Sequence, residues 1–419
     1  MKPKHLLLFT GLLCLFIAGT THAQFTTIPD TNFEAFLAPF DDVPGDGRVP
    51  TANIEVLTSL SLTTGTPPVT NIADLTGIED FAALENLSIG VPLLTTVDLT
   101  NNNNLTLVSC AFMPNLDTET LGTKNNLTRL NFDTTGLTSL DASNLPALTE
   151  LEIRNSNLVS ILLPTSSSLT ELIIEDTLLA SIDLSNQLLL NQLQLFQNQL
   201  TSLNLRNLPA LEQITLGGNQ ITDLDVSTLT NLRGLQLNDI PITNLDLSQN
   251  GQLQNLFANS NTDLENLNLA NGNNAAFNFI RVNNNPNLSC IQVDDPNINT
   301  GNIVKDPGAV FSINCAPFVN ITASPNIPNP LTTEGFNTTV MVEFSTPVTG
   351  FNNTSTDVIR TGSIVFNNNT TITQVSPTLY QFDIGIPRAC GEFSLQIPSG
   401  AAQDINTGMD NVASSIVLI

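Results

Sequence analysis

Histidine is missing from all but the first 22 residues: the only two, His5 and His22, fall in a leader-like segment. Without an imidazole, a Ser-His-Asp or Cys-His relay and a histidine metal site are both out of reach. Tryptophan is absent, and Tyr380 is the single tyrosine. Cations are scarce: 12 Lys+Arg stand against 38 Asp+Glu, a formal charge of −26. Setting aside Lys2 and Lys4 leaves 10 cations and a charge of −28. So acidic a chain is repelled by nucleic acid and by anionic membranes. After the leader, no segment has the roughly 20 apolar residues needed to span a bilayer. Leucine and asparagine are abundant instead, a pairing that points to a repeat architecture.

The leader has the layout of a secretory signal peptide over residues 1–23. Met1 to His5 is short and basic, Leu6 to Ala18 is almost wholly apolar, and Thr21-His22-Ala23 supplies the small residues that signal peptidase reads. Cleavage is expected before Gln24, placing the protein outside the cell or at its surface. Cys14 follows Leu13 rather than a small residue, which argues against a lipid anchor.

The organising signal is a repeat. Leu190-Asn-Gln-Leu193-Gln-Leu195-Phe-Gln-Asn198-Gln-Leu200-Thr-Ser-Leu203 reads L-x-x-L-x-L-x-x-N-x-L-x-x-L, and its first leucine recurs at 127, 148, 169, 190, 211, 232 and 253. These are six successive steps of 21 residues. Looser copies open at Leu57, Leu84 and Leu105, with a last one near Phe277, so about eleven units fill residues 57–293. The L-x-x-L-x-L core alternates like a strand. Each unit thus adds one strand to a parallel sheet, and stacking buries the leucines that no single unit can bury. Asn198 and Asn219, and more weakly Asn261, fall where a side-chain amide bonds turn backbone. Thr135, Ser156, Thr177 and Ile240 interrupt that column.

On these motifs the chain resembles the internalin-like leucine-rich repeats of secreted bacterial proteins. Ile28-Pro-Asp-Thr-Asn-Phe33-Glu-Ala-Phe36-Leu37, Gly45-Asp-Gly47 and Val49-Pro-Thr-Ala-Asn-Ile54 resemble that family's amino-terminal cap, placed at 24–56. Asn284-Asn-Pro-Asn-Leu-Ser-Cys290-Ile-Gln-Val-Asp, leading to Cys315, resembles its carboxyl-terminal cap, placed at 294–316. The resemblance implies a solenoid with a parallel concave sheet and short irregular or 3-10 convex segments. It also implies binding to proteins or glycans rather than catalysis. The unit at Leu105–Asn126 departs from the pattern with Cys110 and Met113.

Four cysteines follow the leader, and three pairings are formally possible. Cys290 and Cys315 bracket the end of the repeats and are expected to be bridged, stabilising by roughly 3–4 kcal/mol. Cys110 sits at an inward strand position and reads as a buried free thiol. After Cys315 the repeat stops. Val340, Val342 and Phe344 alternate, as do Tyr380, Phe382, Ile384 and Ile386, and Phe393, Leu395 and Ile397. Short strands at this spacing predict an antiparallel sandwich over 317–419. Glu343–Phe351 and Ile397–Asp404 resemble bacterial immunoglobulin-like domains, which usually act as spacers.

Little in the chain promises chemistry. Catalysis would have to rest on paired carboxylates or on Lys124 and Lys305. The acids are scattered through turn positions where water holds them, so no catalytic residue is assigned and the protein is not expected to be an enzyme. Asp41, Asp42 and Asp46 beside Gly45 and Gly47 could offer oxygens to calcium but lack the spacing of a dedicated loop. No cofactor and no metal are expected.

A binding surface remains. The x positions of each L-x-x-L-x-L strand point away from the core onto the concave face. Charged residues cluster on the earlier coils, amides and phenylalanines on the later ones. The expected ligand footprint is Arg129, Glu152, Arg154, Ile173, Glu175, Gln194, Phe196 and Phe257, with Phe196 and Ile173 as apolar anchors. The expectation is a non-catalytic exported protein that binds a protein or polysaccharide in surface adhesion or recognition. The alternative is a structural stalk without a dedicated ligand.

Overall fold

A computed structural model describes residues 24–63, 67–166, 168–297, 303–313, 315, 319–324, 336–344, 347–352, 356–361, 365–366, 371–386, 394–405, 411, 414 and 417–418. The leader and Cys390 lie outside these residues.

The repeats form a parallel-strand β-solenoid of about eleven turns. One strand per turn joins a twelve-stranded sheet that runs in chain order from Ser59–Leu62 to Ile303–Lys305. Register follows the sequence period: Glu150 lies between Arg129 and Glu171, and Leu151 between Leu130 and Leu172. The alternation decides which way each residue points. In Glu150–Arg154, Leu151 and Ile153 are buried, while Glu150, Glu152 and Arg154 face outward. The seven leucines that open the regular units are all fully buried. One continuous apolar core results, from Ile28 to Ala309.

The return side of the coil is more regular than expected. Short parallel strands line it, pairing Thr96–Asp98 with Thr118–Thr120, and Ser139–Asp141 with Ser160–Leu162. A further sheet links Asn244–Asp246, Asn266–Asn268, Cys290–Gln292 and Val310–Ser312. Among the described residues, 3-10 turns of the repeat region are confined to Val69–Asn71, Ile78–Asp80 and Asn274–Ala276. Paired return residues stand 20 to 24 apart, and only Ser139 and Ser160 keep the 21-residue step, so return pairing does not follow from the strict period.

Nine successive turns, from Phe112 to Asn284, share a backbone feature the sequence hides. Phe112, Thr134, Asn155, Asp176, Gln197, Asp239, Ser260 and Asn284 have φ between 49° and 62°, and Gly218 fills the same position at 73°. The position just before the turn asparagine is therefore left-handed in successive coils, although most of its occupants disfavour that conformation.

At the amino end, Asp30 caps the helix Thr31–Leu37, its Oδ1 accepting from the N–H of Asn32 at 2.8 Å and Phe33 at 3.0 Å. Phe33 and Leu37 are fully buried against the first coils, with Phe33 stacked on Phe81. At the other end Cys290 and Cys315 are bridged, as expected, with Cα atoms 5.9 Å apart. Cys110 is a buried free thiol.

Beyond Val319 the strands turn antiparallel. Val319–Ser324, Phe336–Phe344, Leu379–Ile386 and Val365–Phe366 form one sheet. Ile359–Thr361, Ser394–Gln396 and Val417–Leu418 form another. Val340, Val342, Phe344, Tyr380, Phe382, Ile384, Leu395 and Ile397 share one buried core. Ile386 and Phe393, expected on the same faces, have side chains outside the described residues.

Candidate functional site

The outward positions of the long sheet form three rows, because strand register is preserved from coil to coil. The first runs Arg129, Glu150, Glu171, Gln192, Gln213, Gly234, Asn255, Phe279. The middle row runs Asn131, Glu152, Ile173, Gln194, Thr215, Gln236, Phe257, Arg281. The third opens with Asp133, Arg154 and Glu175, and Phe196 is the next residue at that position.

On the earlier coils the charges pair across strands. Arg129 bonds Glu150 through two nitrogens, Nη2 to Oε1 at 2.9 Å and Nε to Oε2 at 2.8 Å. Arg154 lies between two carboxylates, its Nε donating to Glu175 at 2.9 Å and its Nη1 to Glu152. Gln192 Nε2 donates to Glu171 Oε1 at 2.9 Å. The exposed Arg129–Glu150 pair fixes geometry more than it stabilises, at about 0–1 kcal/mol, and the bonds of Arg154 and Gln192 are part-buried. Between them lies a depression of about 230 Å³, lined by Ser109, Arg129, Asn131, Glu150, Glu152, Glu171 and Ile173 with the backbone around them.

Of the expected footprint, Arg129, Glu152 and Ile173 line this depression, while Arg154, Glu175, Gln194, Phe196 and Phe257 do not. The two apolar anchors are less exposed than expected. Ile173 is only 6 % exposed, with Glu152 and Gln194 in register on either side. Phe196 is half-buried because the next coil has Gly217 at the equivalent position, and a Cβ there would stand 3.2 Å from the Phe196 ring. Phe257 is half-buried too. The exposed ring of the earlier coils is Phe112, at 68 %, in the left-handed position.

Of the cap-turn acids, Asp41 Oδ1 accepts the Val43 N–H at 3.1 Å while its Oδ2 is buried without a partner. Asp46 pairs with Arg48 at 2.9 Å. The buried Glu34 accepts the N–H of Gly45 at 3.0 Å and Gly47 at 2.7 Å, holding the loop through its backbone. Both glycines have positive φ, so the turn requires them. Among the described residues no group of three or more acidic, cysteine or histidine side chains is placed to hold a metal.

Three arrangements escaped the sequence reading. Acids recur at one return position, where Asp98, Asp141, Asp183, Asp225 and Asp246 each accept the N–H two residues on. Their recurrence at about two repeats, and at one repeat from Asp225 to Asp246, was the signal. Burial pushes the Asp246 carboxyl up, its bonds to Ser248 and Asn268 working against that. In the irregular unit Glu119 stands where neighbouring coils place Val97 and Leu140. Burial raises its carboxyl to about 7, and burial with the nearby Glu119 pushes the Cys110 thiol up to about 12. Lys124 is fully buried, its Nζ donating to the Thr100 carbonyl at 3.1 Å. Burial lowers its ammonium, with Asp98 opposing.

No protein-family model matches the chain, and no curated protein matches it. Among solved structures it is similar to one described as the functional domain of InlJ from Listeria monocytogenes, which includes a cysteine ladder. Identity is 18 %, the TM-score is 0.36, and the match covers 94 % of this chain and 99 % of that one. At that TM-score the likeness adds nothing to what this chain's own coils show.

Proposed function

We propose that this chain is an exported, non-catalytic binding protein of leucine-rich-repeat type. It holds a macromolecular ligand, protein or polysaccharide, against the open face of its long sheet, in surface adhesion or recognition. The observation that carries this is the depression of about 230 Å³ over strands that present outward-facing charges in fixed register. Rigid strands preorganise such side chains, which lowers the entropic cost of binding. Turnover is disfavoured by the same geometry, since Glu150, Glu152 and Glu175 are each engaged by an arginine. The antiparallel strands beyond Val319 fit an immunoglobulin-like spacer carrying the solenoid. Among the described residues no helix is long and apolar enough to cross a membrane. No cofactor enters this reading.

The test uses the chain from Gln24 to Ile419, screened against arrayed surface proteins and polysaccharides. Beside it stand a charge-reversed variant, Arg129→Glu with Glu152→Lys, a Gln194→Ala with Gln236→Ala variant, and a return-side control, Thr138→Lys. A ligand weakened by either open-face variant and untouched by the control supports the reading. A ligand indifferent to both moves the site off the sheet, and no ligand for a folded chain favours the stalk.

A further inference from the structure

The open face changes chemistry at the strand Gln192–Gln194. On the three strands before it, seven of the nine outward positions are charged. On the five strands from Gln192 to Val282, Arg281 is the only charged outward residue. Amides, a threonine, two glycines and three phenylalanines make up most of the rest.

The middle row of this neutral half is unoccupied hydrogen-bonding capacity. Gln194, Thr215 and Gln236 are in register on successive strands. All three are half-buried, and none of their side chains has a hydrogen-bond partner among the described residues. The adjacent row differs: Asn238 Oδ1 accepts from the Asn259 N–H at 2.9 Å, and Asn259 Oδ1 from the Asn283 N–H at 3.2 Å. Free amides in a half-desolvated row gain most from a ligand that pairs them, because an unpaired polar group loses its water without replacement. Phe257 continues the row, and Phe279, 48 % exposed, borders it on the next strand. Gly217 and Gly234 lie beside them, covered by the Phe196 ring and the Gln213 side chain.

We infer that the open face from Gln192 to Phe279 is a binding site for an uncharged, hydroxyl-rich polysaccharide lying along the solenoid axis. Amides and hydroxyls both donate and accept, which suits the paired donor and acceptor character of sugar hydroxyls. The Phe257 ring suits the C–H face of a sugar ring, while Phe279 carries the Arg281 guanidinium over its ring at 5.7 Å from the centroid. A neutral surface on so acidic a protein excludes charge as the main attraction. Strands recur every 4.8 Å or so, so Gln194 to Phe257 spans about 14 Å in three equal steps. A linear glycan meets one strand with about one ring. The inference rests on the open face being a ligand surface and adds the ligand's class and its half of the sheet.

The test is affinity electrophoresis followed by calorimetry, using soluble β-glucan, mannan and xylan as uncharged probes and polygalacturonate as the charged one. The chain from Gln24 to Ile419 is compared with Gln194→Ala/Gln236→Ala, with the same pair plus Phe257→Ala, and with Arg129→Glu/Glu152→Lys. The amide pair removes free groups without touching the core, and a thermal melt confirms each fold. We expect an uncharged polymer to bind, with affinity down about tenfold in the amide pair and further with Phe257→Ala, both losses larger than that of the charge-reversed variant. Binding to polygalacturonate alone, or to none of the four, overturns the inference. So does a polymer lost only in the charge-reversed variant, which leaves the open face as the ligand surface. A polymer indifferent to all three variants overturns both readings.

Discussion

The Asn219 side chain joins its own coil to the one before it: Oδ1 accepts the Leu200 N–H at 3.1 Å, and Nδ2 donates to the carbonyls of Leu195 and Leu216 at 2.7 Å each. Asn219 is fully buried, so these backbone groups have no water to replace it. Asn285 repeats the arrangement, bonding the Ala258 and Val282 carbonyls and accepting from the Asn261 N–H. Asn219→Ala should cost about 3 kcal/mol, the penalty for stranding buried polar groups. Urea unfolding measures it, and a loss under about 1 kcal/mol would show that the bonds are dispensable.

Ser156 occupies the same column, and its hydroxyl is buried without a hydrogen-bond partner. Ser156→Asn should place an amide where Asn219 has one, facing the Phe132 carbonyl and the Leu137 N–H one coil back. A gain of about 1 kcal/mol is expected. A lower urea midpoint would show that the coil spacing there does not admit an amide.

Phe112 is exposed in a left-handed backbone conformation, which costs a residue with a Cβ about 1–2 kcal/mol. Phe112→Gly removes that strain and little packing, while adding freedom to the unfolded chain. Thermal unfolding should show a net gain of about 0.5–1 kcal/mol. A loss would mean that the ring holds the neighbouring coil.

Glu119 gives the fold a pH dependence of unusual sign. Burial first, and Asp141 second, raise its carboxyl from the ordinary 4.5 to about 7 in the folded chain. Below pH 4.5 it is protonated whether folded or unfolded and costs nothing. As pH rises from 4.5 to about 7 the unfolded chain releases the proton before the folded chain does, so stability falls across that window. Glu119→Gln should flatten that fall, gaining stability at pH 8 and little at pH 4. Equal gains at both would show that the carboxyl is solvated.

The features legible beforehand were those that repeat. Leucines at a fixed step settle strand register and core, and Asn198 bonds the Ile174 carbonyl at 2.7 Å as its turn position implied. Cys290 and Cys315 flank the final coil, so their bridge was legible from position. The left-handed column was hidden because Phe, Thr, Asp and Gln share it with a single glycine. Periodicity says which way Ile173 points but not how deeply its neighbours cover it. Glu119 was open to reading in principle, since alignment of the units sets it between Val97 and Leu140. The division of the open face into charged and amide halves was legible too, while which amides stay unpaired is decided by three-dimensional contacts.

The Cys290–Cys315 bridge also determines how the solenoid bears load. The strands Ile303–Lys305 and Val310–Ser312 lie inside the covalent loop it closes. Tension drawn through the antiparallel strands beyond Val319 enters at Cys315 and crosses sulfur to sulfur into Cys290, on a strand paired with Asn266–Asn268. The two strands in the loop are bypassed, so a pull that would peel an unbridged end strand by strand is instead borne by a covalent tie.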